Sequence, residues 1–297
     1  MNNTKSAFVA IVGRPNVGKS SLLNAFVGEK VAIVTPKPQT TRTRITGIVT
    51  RGDAQLVFID TPGIHKPKTK LSEYMVKAVR ESVADVDVAI LVTEPAGAIH
   101  PTELELMESF KSRRIPAILA VNKIDTLARK EMMMEKIAAF SALFSFDQVI
   151  PISALNGDGV PILLEAAEGY AQEGPHFFDD DAYTDQPERV IAAELVREKL
   201  LYSMRDEIPH GVAVMVESMK ERPDKNLLDL DVIIYCEKDS HKGMIIGKGG
   251  EMLKKVASRA RVDLEDFFGV KVNLQCWVKV KEDWRNREGS MRGLGFN

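Results

Sequence analysis

The stretch Gly13-Arg14-Pro15-Asn16-Val17-Gly18-Lys19-Ser20 fits the spacing G-x-x-x-x-G-K-[ST] in full, and Ser21 follows directly. Residues of these types at this spacing bind phosphate. The glycines let backbone N–H groups turn inward around phosphate oxygens. The helix expected over "SSLLNAFVG" adds the positive end of its dipole. The Lys19 ammonium can reach β- and γ-phosphates, and the Ser20 hydroxyl can ligate Mg2+. Average composition produces the pattern by chance in roughly one such chain in a hundred. A plain tight turn is therefore a weak rival.

Three further stretches extend the site. Asp60-Thr61-Pro62-Gly63 follows the apolar run "AQLVFI". A carboxylate there can hold Mg2+ through water, and Gly63 can offer its N–H to a γ-phosphate. Asn122-Lys123-Ile124-Asp125 follows "PAILAV". The Asp125 carboxylate can accept from both guanine donors, N1–H and the exocyclic amine, which adenine lacks. That reader excludes an ATP-dependent kinase and selects GTP and GDP. Ser153-Ala154 closes the run "QVIPI", and its backbone can contact the guanine oxygen.

These loops need a frame. Short apolar runs alternate with helical patterns through the first half, which implies a mostly parallel sheet with helices on both faces. The expected organisation is a first domain over 1–172, an aperiodic Pro-, Gly- and Asp-rich linker over 173–188, and a smaller α+β domain over 189–297. A length of 297 residues fits two cores better than one. The two cysteines lie in apolar runs and suit a reducing cytosol. The first residues read as a strand feeding a loop rather than a signal peptide. No apolar run approaches the roughly 18 residues of a membrane span.

The second domain reads α-β-β-α-α-β, with "IIGKGG" between its central helices. A lone Gly-x-x-Gly is worth little, so the signal lies in that context. The pattern resembles a KH domain of the bacterial, type II form. In KH domains the glycine loop clamps a single-stranded backbone. The resemblance makes Gly247, Lys248, Gly249 and Gly250 the clamp, with Lys254 and Lys255 as nearby cations. Ile245 and Ile246 either line the base groove or belong to the core. From residue 241 onward twelve Lys and Arg face seven Asp and Glu, in a chain of net charge -2. A local basic excess of this kind suits a nucleic-acid backbone. The rival is a membrane-associated signalling GTPase whose basic C-terminal domain binds lipid. Charge alone would serve that role, without the glycine loop.

Gln39-Thr40-Thr41-Arg42 resembles the first switch of the Era, thiophene-oxidation and double-domain GTPase group, and the "RPNVGKS" loop has that group's form. The resemblance makes Thr41 the residue that closes over Mg2+, with Thr40 as the alternative. It implies that Asn16 ligates K+ against the phosphates. Ras-like enzymes place a glutamine directly after Asp-x-x-Gly to orient the attacking water. Here Ile64 stands there and His65 follows, to be read as a general base or, more simply, as a solvated switch residue. Catalysis then rests on Lys19, Thr41, Gly63 and bound cations, acting by charge stabilisation, and hydrolysis is expected to be slow. From about residue 5 to about 285 the chain resembles the Era family. That resemblance implies a cytoplasmic GTPase of small ribosomal subunit assembly. It also implies binding to the 3′ end of 16S ribosomal RNA and partial, peripheral association with the inner membrane.

Overall fold

The computed structural model describes residues 4–37, 39–63, 69–127, 129–204 and 208–296. They form two compact units. The first comprises Met1–Ala32, Thr41–Pro67 and Met75–Asp185; the second comprises Ile33–Thr40, Lys68–Tyr74 and Gln186–Asn297.

In the first unit, in chain order, the elements are β1 (Lys5–Val12), α1 (Lys19–Val27), β2 (Ile45–Arg51), β3 (Ala54–Asp60), α2 (Lys70–Ser82, begun in the segment grouped with the second unit) and β4 (Val88–Thr93). There follow α3 (Pro101–Arg113), β5 (Ala117–Val121), α4 (Glu131–Ser141), β6 (Gln148–Pro151), α5 (Val160–Glu168) and the short β7 (Gln172–Glu173). The sheet order is β2-β3-β1-β4-β5-β6. Pairing is parallel except that β2 runs against β3, and β7 against β1. Every residue of β4 and β5 is buried, as strands covered on both faces require. Alternate residues feed separate cores: Ile11, Ile90 and Ile118 join α1 and α5, while Ala10, Leu91 and Leu119 join Phe110 of α3 and Phe140 of α4. Because β1, β3, β4, β5 and β6 are parallel, the loops after them emerge along one edge. That edge is where open α/β sheets bind ligands.

The segment expected as a linker is largely held within the first unit. The Gln55 side chain accepts from the N–H groups of Phe177 and Phe178, and Ile48 N–H donates to the Tyr183 carbonyl. Phe177 also packs edge-on against Phe8. The division between the units falls after Asp185.

The second unit contains α6 (Glu188–Ser203), β8 (Ala213–Arg222), β9 (Leu227–Cys236), α7 (Asp239–Ile246), α8 (Glu251–Phe268), β10 (Lys271–Val280) and α9 (Glu288–Arg292). Its sheet order is β10-β9-β8, with β10 parallel and β8 antiparallel to β9. One face of the sheet carries α6, α7 and α8. Val256, Ala260 and Leu264 fall at i, i+4, i+8 on α8 and are fully buried with Val232 and Ile234 of β9. The basic tail is folded at its start: Trp284 is fully buried and donates its indole N–H to the Gly211 carbonyl at 2.9 Å. Both cysteines are free. Among the described residues no helix is long and apolar enough to cross a membrane.

Candidate functional site

The loop after β1 turns on Gly13 (φ 151°) and Gly18 (φ 99°), backbone angles that L-residues rarely adopt. A Cβ on Gly18 would lie 2.2 Å from the Asn122 side-chain nitrogen, so glycine is also needed for clearance. Lys19 opens α1 and is buried. Its ammonium donates to the Gly13 and Arg14 carbonyls at 3.2 Å each. Burial pulls its pKa down, partly offset by Asp60. A phosphate here would supply the negative charge that the buried lysine lacks.

Behind it the hydroxyls and the carboxylate converge. Ser20 Oγ lies 2.6 Å from Asp60 Oδ2 and 2.9 Å from Thr41 Oγ1. Asp60 is fully buried, and its pKa is pushed up to about 6 by desolvation, against the pull of Lys19 and Ser20. Its Oδ1 is buried with no hydrogen-bond partner. The Thr40 hydroxyl instead bonds Thr35 and the Lys37 carbonyl, so Thr41 is the threonine at the cluster. Gly63 lies against Pro15, where a Cβ would come within 2.7 Å of the Pro15 Cα. The Thr61 hydroxyl donates to the Ile11 carbonyl and anchors the start of this loop to β1. Ile64 and His65 lie outside the described residues.

The base end is braced by Asn122. Its amide nitrogen donates to the Val17 carbonyl at 2.8 Å, and its oxygen accepts from Ala154 N–H at 2.9 Å. One buried side chain therefore ties the phosphate loop to the loop after β6. Ser153 Oγ donates to Asp125 Oδ1 at 2.6 Å and orients that carboxylate. The Ser153 N–H is committed to the Asp158 carbonyl, so a guanine oxygen here would share the Ala154 N–H with Asn122. Lys123 adopts φ 67° and spans the Asn16 carbonyl and Glu94 Oε1, each at 2.6 Å. Such strain in a non-glycine residue costs about 1–3 kcal/mol and persists where contacts over-determine it. Asn16 is exposed, at φ 63°.

In the second unit the glycine loop joins α7 to α8. Gly247, Gly249 and Gly250 have φ of 76°, 60° and 83°. A Cβ on Gly247 would sit 2.6 Å from that of Met252, whereas Gly249 and Gly250 face open space. Lys248, Lys254 and Lys255 are exposed. Ile245 is fully buried in the core, so of its two expected roles only the core role stands. Ile246 is partly buried against the same core.

Residues 8–123 match a family described as 50S ribosome-binding GTPase, and residues 207–285 match the KH domain. The chain is 51% identical to the GTPase Era of Caldanaerobacter subterraneus and 50% identical to that of Clostridioides difficile, covering 98–99% of both partners in each pair. The chain belongs to the Era family. A variant of Aquifex aeolicus Era bound to GDP and AlF4− superposes with a TM-score of 0.94 at 37% identity, over 99% of each chain. An Era complexed with MgGDPNP and nucleotides 1506–1542 of 16S ribosomal RNA gives 0.92 at the same identity and coverage. As an Era-family GTPase the chain hydrolyses GTP, and the expected fold of a P-loop GTPase domain followed by a KH domain holds.

Within this Era-family site the sequence reading missed Glu94. It directly follows β4 and bridges Arg14 and Lys123. Burial pushes its carboxyl up, but Lys123 and Arg14 outweigh that and hold it below the usual range. Its place after a fully buried strand was the available signal.

Proposed function

We propose that this GTPase binds the 3′ region of 16S ribosomal RNA through its KH domain and acts in assembly of the small ribosomal subunit. The observation that carries the reading is the exposed Gly-Lys-Gly-Gly turn. Two of its glycines face open space at positive φ, beside three exposed lysines. A surface that met lipid would need the lysines but not those glycines. Whole-chain similarity to an Era solved with a 16S segment supports the choice of RNA.

At the nucleotide site we assign Lys19 to the β- and γ-phosphates, and Asp125, held by Ser153, to guanine. The Ser20, Thr41 and Asp60 oxygens are hard donors, and Asp60 Oδ1 is a buried acceptor without a partner. This set fits Mg2+. When bound, Mg2+ neutralises charge on the β- and γ-phosphate oxygens. We also assign the Gly63 N–H to the γ-phosphate, and Asn16, exposed on the phosphate loop, would hold K+. Residues 13–21 wrap the phosphates, and Lys19 offsets charge that builds as the bond breaks.

The test is binding of a single-stranded RNA from the 3′ end of 16S by the full chain and by the Lys248→Asp, Gly249→Asp variant. RNA affinity lost with GTP affinity kept supports the reading. Unchanged RNA affinity in a folded variant overturns it.

A further inference from the structure

The outer face of the second unit's sheet carries an aromatic platform with a cationic edge. Along β10, Val272 and Val278 point into the core, so Gln275, Trp277 and Lys279 point the other way and are exposed. Trp277 is 56% exposed, while the protein's other tryptophan, Trp284, is fully buried. Leaving an indole in water is unfavourable, and nothing in the fold requires it here. Register places Trp277 beside Ile233, and Ile233 beside Met215. The next row sets Lys279 beside Tyr235, and the Lys281 ammonium lies 5.4 Å from the Tyr235 ring centroid.

β10 is an edge strand, and it packs against both α7 and α8, the helices that the glycine loop joins. A strand of RNA clamped at that loop therefore has the outer face within reach around one unpaired edge. A KH loop clamps only about four nucleotides. Any longer single strand must leave the clamp with its bases exposed.

Resting on the RNA-binding reading above, we propose that this outer face is a second RNA contact. In it the Trp277 indole stacks an unpaired base of the strand leaving the Gly-Lys-Gly-Gly loop, and Lys279 and Lys281 meet its phosphates. The chemistry matches the platform. A flat aromatic ring on a sheet stacks any base, neighbouring lysines attract the backbone, and exposed Gln275 can both donate to and accept from a base edge. Charge argues against an anionic membrane as the occupant. Asp231 and Asp229 follow Ile233 in register on the same face, while the exposed Lys279–Glu217 pair at 3.7 Å is weak enough for Lys279 to turn to a single phosphate. A broad lipid surface would meet those carboxylates, whereas a single base on Trp277 would not.

The experiment follows Trp277 fluorescence in the full chain during titration with 3′-terminal 16S oligonucleotides of about four and roughly twelve nucleotides. The longer strand should quench Trp277. Trp277→Ala should weaken binding of the longer strand by about 5- to 100-fold, Trp277→Phe by less, and binding of the shorter strand should stay unchanged. Melting and GTP hydrolysis should match the unsubstituted protein, since the ring is exposed and remote in sequence from the nucleotide motifs. If Trp277→Ala binds the longer strand as tightly as the unsubstituted protein does, with Lys248→Asp, Gly249→Asp still abolishing RNA binding, this inference alone is overturned. If the loop variant binds both strands normally, the RNA reading itself fails. Quenching by phosphatidylglycerol vesicles without quenching by RNA would make the face a lipid contact and also overturn it.

Discussion

Replacing Asn122 by alanine removes the strut between the phosphate loop and the loop after β6. Its amide is 2% exposed and holds two backbone groups, the Val17 carbonyl at 2.8 Å and the Ala154 N–H at 2.9 Å. Deleting it leaves both without their partner. Each buried unsatisfied group costs about 1–3 kcal/mol, and partial access of water to Ala154 lowers the second figure, so the expected loss is about 2–4 kcal/mol. A unit of this size loses about 2–4 °C in Tm per kcal/mol, which predicts a drop of roughly 4–16 °C. Affinity should fall for GTP and GDP alike, because both the phosphate loop and the base loop lose register. Differential scanning calorimetry and fluorescent-nucleotide titration measure the two effects. A variant with unchanged Tm and unchanged nucleotide affinity would refute the strut.

Asp125→Asn should move preference from guanine toward xanthine nucleotides by about 10- to 100-fold, read by competition between GTP and XTP; undiminished selection of GTP would remove Asp125 from its role. Replacing Na+ by K+ should raise hydrolysis, and Asn16→Ala should lose most of that rise; equal rates in the two salts would count against the K+ assignment. His176 bonds Asp180 and the Asp53 carbonyl, two acceptors that favour its protonated form and raise its pKa. Its contribution is therefore fully present below the ordinary histidine pKa of about 6.5 and is lost as pH rises through the raised value. Hydrogen exchange at Ile48 N–H, which is bonded to Tyr183, should quicken with pH beyond the intrinsic dependence, and His176→Ala should abolish the excess.

Local chemistry decided what could be read in the chain. Gly13, Gly18, Lys19, Asp60, Asn122 and Asp125 follow apolar runs whose parallel pairing carries them to one edge, so spacing and sheet logic sufficed. Glu94 escaped because a single carboxylate after a strand has no motif, and its partners Arg14 and Lys123 lie far off in sequence. The 173–185 stretch looked like free chain because its binding rests on backbone bonds to Gln55 and Ile48, which leave no periodic trace. Ile245 could be read two ways from sequence, since an apolar residue before a glycine loop suits both groove and core. Burial settled it. Ser153 was assigned by its backbone, whereas its hydroxyl orients Asp125.

The central claim is that two glycine loops hold two different phosphates, a nucleotide's at Lys19 and an RNA strand's at Lys248. Parallel titration of GTP and of a 3′-terminal 16S oligonucleotide, at fixed salt, tests it on Lys19→Ala and on Lys248→Asp, Gly249→Asp. The expected result is crossed. The first variant should lose GTP while keeping RNA affinity in the nucleotide-free protein, and the second should lose RNA, by about 100-fold or more, while keeping GTP. Loss of both ligands in either folded variant, or of neither in the second, would contradict it.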